Sequence, residues 1–326
     1  MVPAGAISTI SGVFPICPTP FKENGDLDLD TFDHLVDFYV ECGVHGLIVL
    51  GIFGEAAMLT AEEGMTILRC TVARAAGRLP VILGTGNLTL RDLASLSQQA
   101  MEAGAFGLMV APPRGVRTDE QIHTAVARQM RAIGPDVPVF FQDYPPFNDV
   151  VMSVPLILTL AREYPQIVSL KVEDNPVLGK ITRIRQGLES WARPAPTLMV
   201  ANSGIYGAPA LRRGADGLAT GFSYPEILVG IDAMAKAGDI EGATDLFDAH
   251  LPMICQELQP GLGLRVRKHV LWRRGLLRTP TVRQAVPKLD AADIDEIDWL
   301  IARGERRLTD LGWEKTASGR WVPTAD

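Results

Sequence analysis

A lysine interrupts one of the hydrophobic strands that the sequence predicts. The stretch IVSLKVEDNP, residues 167–176, begins with the β-branched and aliphatic residues of a buried strand and ends with Lys171 and Glu173. A lysine is rarely buried unless it is paired or functional. If Lys171 points into an apolar interior, the alternation of side chains along a strand turns Val172 outward and returns Glu173 to the side of Lys171.

This pairing of residue types is suited to chemistry on a ketone. Burial removes the water that stabilises the ammonium of Lys171 and so favours the neutral amine. A neutral amine attacks a ketone and forms a Schiff base, which acts as an electron sink. Glu173 could then move a proton at the neighbouring carbon. The residues alone also allow a simpler interpretation, in which Lys171 extends past the strand and pairs with Glu173 or Asp174.

The elements that must position these residues repeat along the chain. The segments ECGVHGLIVLG (41–51), EAGAFGLMVAP (102–112) and RRGADGLATGF (212–222) each contain a helix end, a glycine and a strand. The strand candidates are Val13–Cys17, Leu47–Leu50, Pro80–Leu83, Leu108–Val110, Val137–Phe141, Ile167–Lys171, Thr197–Ala201 and Gly217–Thr220. Amphipathic helices are predicted between them, among them Leu29–Glu41, Ala61–Ala76, Leu90–Ala103 and Asp119–Ala132, and Thr60 with Glu63 forms a capping box. The pattern predicts an α/β fold, a (β/α)₈ TIM barrel; an open doubly wound sheet is the alternative.

A helical region follows the predicted barrel. We assign residues 1–238 to the barrel, which ends with a helix at Glu226–Ala237, and residues 239–326 to a C-terminal helical region packed on it. Helices are predicted at Ile240–Glu257, Gly263–Arg274 and Ala291–Asp310. The polar end of the chain, from Glu314, is expected to be loosely held.

The active site of a (β/α)₈ barrel lies at the carboxyl ends of its strands. The motifs found there are GIFGE (51–55), QDYPP (142–146), ANSG (201–204) and TGFSYP (220–225). Asn202, Ser203 and Ser223 are candidates for binding substrate hydroxyls. Glu55 is interpreted as a carboxylate at a helix start rather than as a catalyst.

The motifs in this order resemble the dihydrodipicolinate synthase / N-acetylneuraminate lyase family of class I aldolases. The resemblance runs from about Gly12 to Arg274 and rests on PTPF (18–21), the G-x-x-G-E loop (51–55), GTGN (84–87) and the lysine of the sixth strand. It implies a barrel with a C-terminal helical region and a Schiff base between Lys171 and a 2-oxo acid such as pyruvate. It also implies a homotetramer built from dimers, with neither a metal nor an organic cofactor.

Two departures from the family pattern bear on the reaction. The family loop usually reads G-T-T-G-E, and its hydroxyls hold the substrate carboxylate and relay protons; here Ile52 and Phe53 stand between Gly51 and Gly54. Backbone amides of this loop can still bind a carboxylate. The family tyrosine after the fifth strand is replaced by Gln142, which cannot shuttle a proton, and Tyr144 follows two residues later.

Gln-Asp-x-Pro after the fifth strand and Lys-x-Glu on the sixth are similar to the branch of 2-keto-3-deoxy-sugar-acid dehydratases, notably the arabonate enzyme. The resemblance therefore implies a Schiff-base lyase that dehydrates or cleaves a 2-keto-3-deoxy sugar acid. Glu173 would remove the C3 proton and assist the loss of the C4 hydroxyl. A dihydrodipicolinate synthase-type condensation of pyruvate with an aldehyde and a non-catalytic keto-acid-binding homologue remain alternatives.

The composition and charge limit which kinds of molecule the protein is expected to bind. A net charge of −7 argues against nucleic acid or an anionic membrane, and the basic stretch RVRKHVLWRRG (265–275) fits a packed amphipathic helix. No apolar run reaches the length of a membrane span, and the start MVPAGAISTI lacks the features of a signal peptide. Four cysteines without CxxC spacing predict buried reduced thiols. We expect a cytoplasmic protein, and the family resemblance implies that its partner is a small 2-oxo acid.

Overall fold

The computed structural model describes residues 10–192 and 194–324, and these form a barrel of parallel strands. The strands are β1 (Gly12–Val13), β2 (Leu47–Val49), β3 (Val81–Gly84), β4 (Gly107–Val110), β5 (Val139–Asp143), β6 (Ile167–Val172), β7 (Thr197–Val200) and β8 (Gly217–Leu218). They pair in the order β1-β8-β7-β6-β5-β4-β3-β2. Ile16, just beyond β1, bridges Ile48 of β2 and closes the ring. The predicted (β/α)₈ barrel is confirmed, and the open sheet is excluded.

Helices follow the strands around the outside of the barrel. They are α1 (Leu29–Glu41), α2 (Ala61–Ala75), α3 (Leu90–Glu102), α4 (Asp119–Ile133), α5 (Pro145–Asn148), α6 (Val154–Glu163), α7 (Val177–Glu189), α8 (Gly207–Arg212), α9 (Pro225–Lys236), α10 (Ile240–Glu257), α11 (Gly263–Arg273) and α12 (Ala291–Asp310). Short 3₁₀ turns lie at Ile52–Gly54, Ala56–Met58 and Asn202–Gly204. The predicted capping box is present, because the Glu63 amide donates to Thr60 Oγ1 over 3.1 Å and the Thr60 amide donates to Glu63 Oε2 over 2.9 Å.

The two faces of the strands pack differently. Residues of one face fill the inside of the barrel: Ile10, Phe14, Ile16, Ile48, Ile82, Met109, Phe140, Val168, Met199 and Ala219. Residues of the other face, such as Leu170 and Val172 of β6, belong to the larger core between the strands and the helices. The barrel is thus a packed core rather than a pore.

A bulge in β6 decides where Lys171 points. Val168 lies inside the barrel, and Lys171 follows three positions later, so strict alternation would turn Lys171 outward. Val139 of β5 pairs with Ile167, however, and the next residue, Phe140, pairs with Ser169. The additional residue in β6 reverses the alternation, as β-bulges next to active sites do, and places Lys171 on the inner side.

The C-terminal region contains a hairpin that the sequence analysis missed. Strands β9 (Trp313–Lys315) and β10 (Trp321–Pro323) pair antiparallel, and both tryptophans are buried. Trp313 lies so close to Gly230 of α9 that a Cβ there would meet its ring at 2.5 Å. The expectation that the chain is loosely held from Glu314 is therefore wrong for the described residues. The division of the chain at residue 238 stays a prediction.

None of the helices within the described residues is both long and apolar enough to cross a membrane. The start of the chain, in which no signal peptide is expected, lies outside the described residues up to residue 9. All four cysteines are free, but only Cys17 and Cys42 are buried; Cys70 is partly buried and Cys255 is exposed, so burial was wrongly predicted for these two.

Closure of the barrel between β1 and β8 requires a residue without a side chain. A Cβ at Gly217 would lie 2.0 Å from the carbonyl oxygen of Gly12, whereas a Cβ at Gly179 in α7 would meet nothing within 4 Å. We expect Gly217→Ala to destabilise the protein by about 3 kcal/mol, because strands must move apart. Gly179→Ala, the matched control, should leave stability unchanged or slightly raised. Thermal melting of both variants at one protein concentration tests this, and equal melting temperatures would contradict it.

Candidate active site

Lys171 and Glu173 form a buried ion pair at the carboxyl end of β6. Lys171 Nζ lies 3.1 Å from Glu173 Oε1, and their side chains are 4% and 8% exposed. Val172 between them packs into the outer core. On its other side Lys171 Nζ lies 3.8 Å from the sulfur of Met109, a residue of the barrel interior. The amine therefore sits between one carboxylate and an apolar floor, and Glu173 lies on the same side as Lys171, as alternation from one to the other predicts.

The neighbouring strands hold the carboxylate of Glu173 in place. Gln142 at the end of β5 donates to Glu173 Oε1 over 2.7 Å. Asn202, after β7, donates its backbone amide to Glu173 Oε2 over 3.3 Å and its side-chain amide to the Glu173 carbonyl over 3.0 Å. Uncharged donors thus orient both carboxylate oxygens of Glu173, and Oε1 also faces Lys171.

Tyr144 directly follows β5, the strand that carries Gln142. Its side chain is partly buried, and burial raises the pKa of Tyr144, with a further contribution from the negative charge of Glu173. Tyr144 therefore remains a neutral hydrogen-bond donor at neutral pH. Gln142, which stands where the family resemblance implies a tyrosine, has no ionisable proton.

A second buried lysine braces the ends of β5 and β6 from outside the barrel. Lys180 of α7 lies 2.6 Å from Asp143 Oδ2 and 2.8 Å from Asp174 Oδ2. Burial raises the pKa of Asp143 to about 6, although the charge of Lys180 opposes the change. The Glu173 amide donates to the Asp143 carbonyl over 2.9 Å. This brace was not predicted, because nothing in the spacing of these residues marks them as neighbours.

The loop after β2 forms a 3₁₀ turn at Ile52–Gly54. The amide of Gly54 donates to the Gly51 carbonyl over 3.0 Å, and the Gly54 carbonyl accepts from Thr19 Oγ1 of the PTPF motif over 2.6 Å. The amides of Ile52 and Phe53 open the turn, and the first amides of a helical turn have no acceptor within it. These two amides are the ones that a carboxylate could use.

Glu55 does not act as the carboxylate of a helix start. It makes no capping hydrogen bond, and its Oε1 lies 2.5 Å from Nζ of Lys268 in α11. Its Oε2 accepts the backbone amides of Arg283 and Gln284 over 2.8 Å each. That interpretation was therefore wrong, because the side chain turns away from the 3₁₀ turn and ties the β2 loop to the C-terminal region.

The remaining predicted residues divide between the site and the C-terminal helices. Asn202 contacts Glu173, as described. Ser203 Oγ accepts from Arg267 Nη2 over 3.1 Å, and Ser223 Oγ donates to the Arg267 carbonyl over 3.3 Å. The two hydroxyls are therefore engaged by α11 rather than by Glu173. Arg267 was missed as a neighbour of the site, although the basic stretch that contains it was interpreted as a packed helix.

A (β/α)₈ barrel with a lysine–glutamate pair at the end of its sixth strand has the architecture of a class I aldolase or lyase. A family model, the Dihydrodipicolinate synthetase family, matches residues 9–302. The chain belongs to this family and is a lyase.

Individual relatives have different activities. The chain is 29% identical over 287 residues to the L-2-keto-3-deoxyarabonate dehydratase of Azospirillum brasilense, covering 85% of this chain and 89% of that one. It is 32% identical over 245 residues to a 4-hydroxy-tetrahydrodipicolinate synthase of Thermus thermophilus, covering 72% and 77%. The crystal structure of dihydrodipicolinate synthase from Rhodopseudomonas palustris matches with a TM-score of 0.87 and 40% identity, over 90% of this chain and 98% of that one.

The contact between Lys268 and Glu55 is expected to be required for folding. Both side chains are fully buried, and burial lowers the pKa of Lys268 to about 8 while Glu55 opposes the change. Lys268→Met would leave a buried carboxylate without its cation, so we expect a loss of about 3–5 kcal/mol at pH 7.

The matched control is Lys315→Met, which removes an exposed lysine that pairs with Glu305 over 2.7 Å. We expect this change to cost less than about 1 kcal/mol. Thermal melting under identical conditions compares the two variants. A similar small loss in both would show that Glu55 does not depend on Lys268.

Proposed function

We propose that this lyase dehydrates a 2-keto-3-deoxy sugar acid, or cleaves it in an aldol reaction, through a Schiff base on Lys171. The observation that carries the proposal is the position of Glu173, which accepts from Gln142 over 2.7 Å and lies 3.1 Å from Lys171 Nζ. The site thereby holds an ionisable carboxylate beside the amine, hydrogen-bonded to Gln142, which stands where the family resemblance implies a tyrosine.

The first stage forms the Schiff base. The carboxylate of the substrate would bind the amides of Ile52 and Phe53 in the turn between Gly51 and Gly54, which places the C2 ketone over Lys171. Glu173 takes a proton from the ammonium of Lys171, and the neutral amine attacks C2. Loss of water from the adduct leaves an iminium, which withdraws electrons from C3.

The second stage uses the same carboxylate twice. Glu173 gives up the first proton to the departing water and then removes a proton from C3, whose electron pair moves toward the iminium nitrogen and gives an enamine. The protonated Glu173 next donates to the C4 hydroxyl, which leaves as water while the enamine electrons form the C3–C4 double bond. Hydrolysis of the iminium releases the product and restores Lys171.

Aldol cleavage would use the same residues in another order. Glu173 would take the proton of the C4 hydroxyl as the C3–C4 bond breaks, which releases an aldehyde and leaves an enamine on Lys171. Glu173 would return the proton to C3, and hydrolysis of the iminium would release pyruvate. Asn202 contacts Glu173 and Tyr144 follows β5, so these two residues are candidates for contacts to C4 and beyond. Dehydration is favoured because Gln142 cannot relay a proton, which leaves Glu173 as the acid and the base.

Condensation of pyruvate with an aldehyde is the second candidate. It is supported by the names of the Thermus and Rhodopseudomonas relatives, and it would begin with the same Schiff base. Dehydration is supported by the Azospirillum relative, whose match covers more of this chain. The two reactions differ in what they consume, so substrate turnover separates them.

We also propose that the protein works as a cytoplasmic homotetramer. The tetramer rests on the family resemblance. The cytoplasmic location is supported by four cysteines that are free in the structure, as expected in a reducing compartment.

Trapping with borohydride tests the Schiff base. After incubation with pyruvate or a 2-keto-3-deoxy acid, reduction should leave a covalent adduct on Lys171, located by peptide mass spectrometry. Lys180 and Lys268 are internal controls, because they are as buried as Lys171 and are likewise paired with carboxylates, but they belong to helices outside the barrel. The proposal fails if no 2-oxo acid gives an adduct or if the label lies on a control lysine.

Substitution of Glu173 tests the proton transfers. We expect Glu173→Gln to form the adduct on Lys171 and yet lose about 10²–10⁴-fold in turnover, because general acid–base catalysis contributes about that much. Asp174→Asn is the control, since Asp174 pairs with Lys180 and should affect turnover far less. Release of water, pyruvate or neither from a panel of 2-keto-3-deoxy acids identifies the reaction. Full turnover by Glu173→Gln would exclude this role.

A further inference from the structure

Two consecutive residues after β7 have strained backbones. Asn202 and Ser203 have φ angles of 55° and 54°, in the left-handed region that disfavours residues with a Cβ. This conformation costs roughly 1–2 kcal/mol per residue. Strained residues persist where the surrounding structure holds them, and they cluster at functional sites.

On the side of the barrel, the turn is held by Glu173. The Asn202 backbone amide donates to the Glu173 carboxylate, and the Asn202 side chain donates to the Glu173 carbonyl. The same bonds also orient Glu173, because any movement of Asn202 would break the hydrogen bond to one oxygen of the Glu173 carboxylate. The position of Glu173 is therefore coupled to the geometry of the turn.

On the opposite side, the turn is held by Arg267 of α11. Its Nη2 donates to Ser203 Oγ over 3.1 Å, and its Nε lies 2.7 Å from Glu257 Oε2 of α10. Arg267 is 1% exposed, and Glu257 is fully buried. A buried ion pair of this kind does little for stability by itself, but it fixes the guanidinium in one orientation.

Other loops at the mouth of the barrel hold Arg267 in turn. Its guanidinium carbon lies 3.5 Å from the centre of the Phe53 ring, in the loop after β2. Gly221, after β8, leaves the space for this stack, since a Cβ there would lie 2.3 Å from Arg267 Nη1. The backbone amide of Ser223 donates to both oxygens of Glu257 over 3.2 Å.

We propose that Arg267 is a positioning residue for the reaction. It holds the strained turn through Ser203, and the turn holds the carboxylate of Glu173 through Asn202. Arg267 acts without touching substrate. The inference rests on the proposed role of Glu173 as the base, and it extends the site from the barrel to the C-terminal helices.

The test separates Schiff-base formation from proton transfer at C3. The enamine of pyruvate exchanges its methyl protons with D₂O, and proton NMR follows this exchange without any knowledge of the natural substrate. Arg267→Lys keeps a cation beside Glu257 but loses the fixed fork that reaches Ser203. We expect this variant to form the borohydride adduct on Lys171 as the wild type does, and to exchange about 10- to 100-fold more slowly.

The control is Arg273→Lys in the same helix. Arg273 makes a bidentate pair with Asp298 over 2.8 and 2.9 Å, but both residues lie on the surface. Arg273→Lys removes the planar guanidinium in the same way as Arg267→Lys, but Arg273 does not contact the site. Adduct formation and exchange should both remain at the wild-type rates.

A second variant tests the same contact in case Arg267→Lys does not fold. Ser203→Ala keeps the pair of Arg267 and Glu257 and removes only the acceptor in the turn, so it should slow exchange in the same direction. The inference is overturned if the folded variants exchange at the wild-type rate. It is also overturned if adduct formation and exchange decline together, because that pattern indicates a general structural role.

Failure of the proposed function would look different. In that case the wild type itself would give no adduct, or Glu173→Gln would exchange as fast as the wild type. The variants of Arg267 and Ser203 test the inference on Arg267 once the wild type is shown to exchange in a way that depends on Glu173.

Discussion

The buried pair of Lys171 and Glu173 is the constraint on which the rest of the site depends. Taking two charges out of water costs several kcal/mol per ion, and their attraction offsets this only with good geometry and further hydrogen bonds. Gln142 and Asn202 supply those bonds from the two strands that flank β6. The uncharged donors leave Lys171 as the only cation in contact with Glu173 among the described residues, so a proton can pass between the two.

The barrel and the C-terminal helices contribute to this geometry in different ways. The bulge at Val168 turns Lys171 inward, and Lys180 ties the ends of β5 and β6 together from the outside. The C-terminal region places two buried cations behind the loops of the mouth: Lys268 against Glu55 after β2, and Arg267 against Ser203 after β7. The region after the barrel is therefore a support for the catalytic face and not only an addition to it.

The sequence was sufficient for features that repeat or are local. The helix-to-strand junctions predicted the barrel, Thr60 and Glu63 marked a helix start, and alternation paired Lys171 with Glu173. The bulge was not predictable, because Val168 is as suitable for the outer face of a strand as for the inner one. The contact of Arg267 with Ser203 joins residues 64 positions apart, and the side-chain types do not specify it. The burial of Trp321 was not predictable, because the residue lies in a polar stretch that is typical of a loosely held chain end.

The departures from the family pattern are physically linked. Phe53 replaces a hydroxyl in the loop after β2, and its ring stacks on Arg267. Arg267 supports the turn whose Asn202 orients Glu173. Gln142 replaces the family tyrosine and donates to the same carboxylate. The loss of the hydroxyls at Phe53 and Gln142 thus coincides with a set of contacts that orient one carboxyl group. A reaction that needs an acid and a base in succession at adjacent carbons can use such a group for both steps, since removing the C3 proton creates the acid that protonates the C4 hydroxyl.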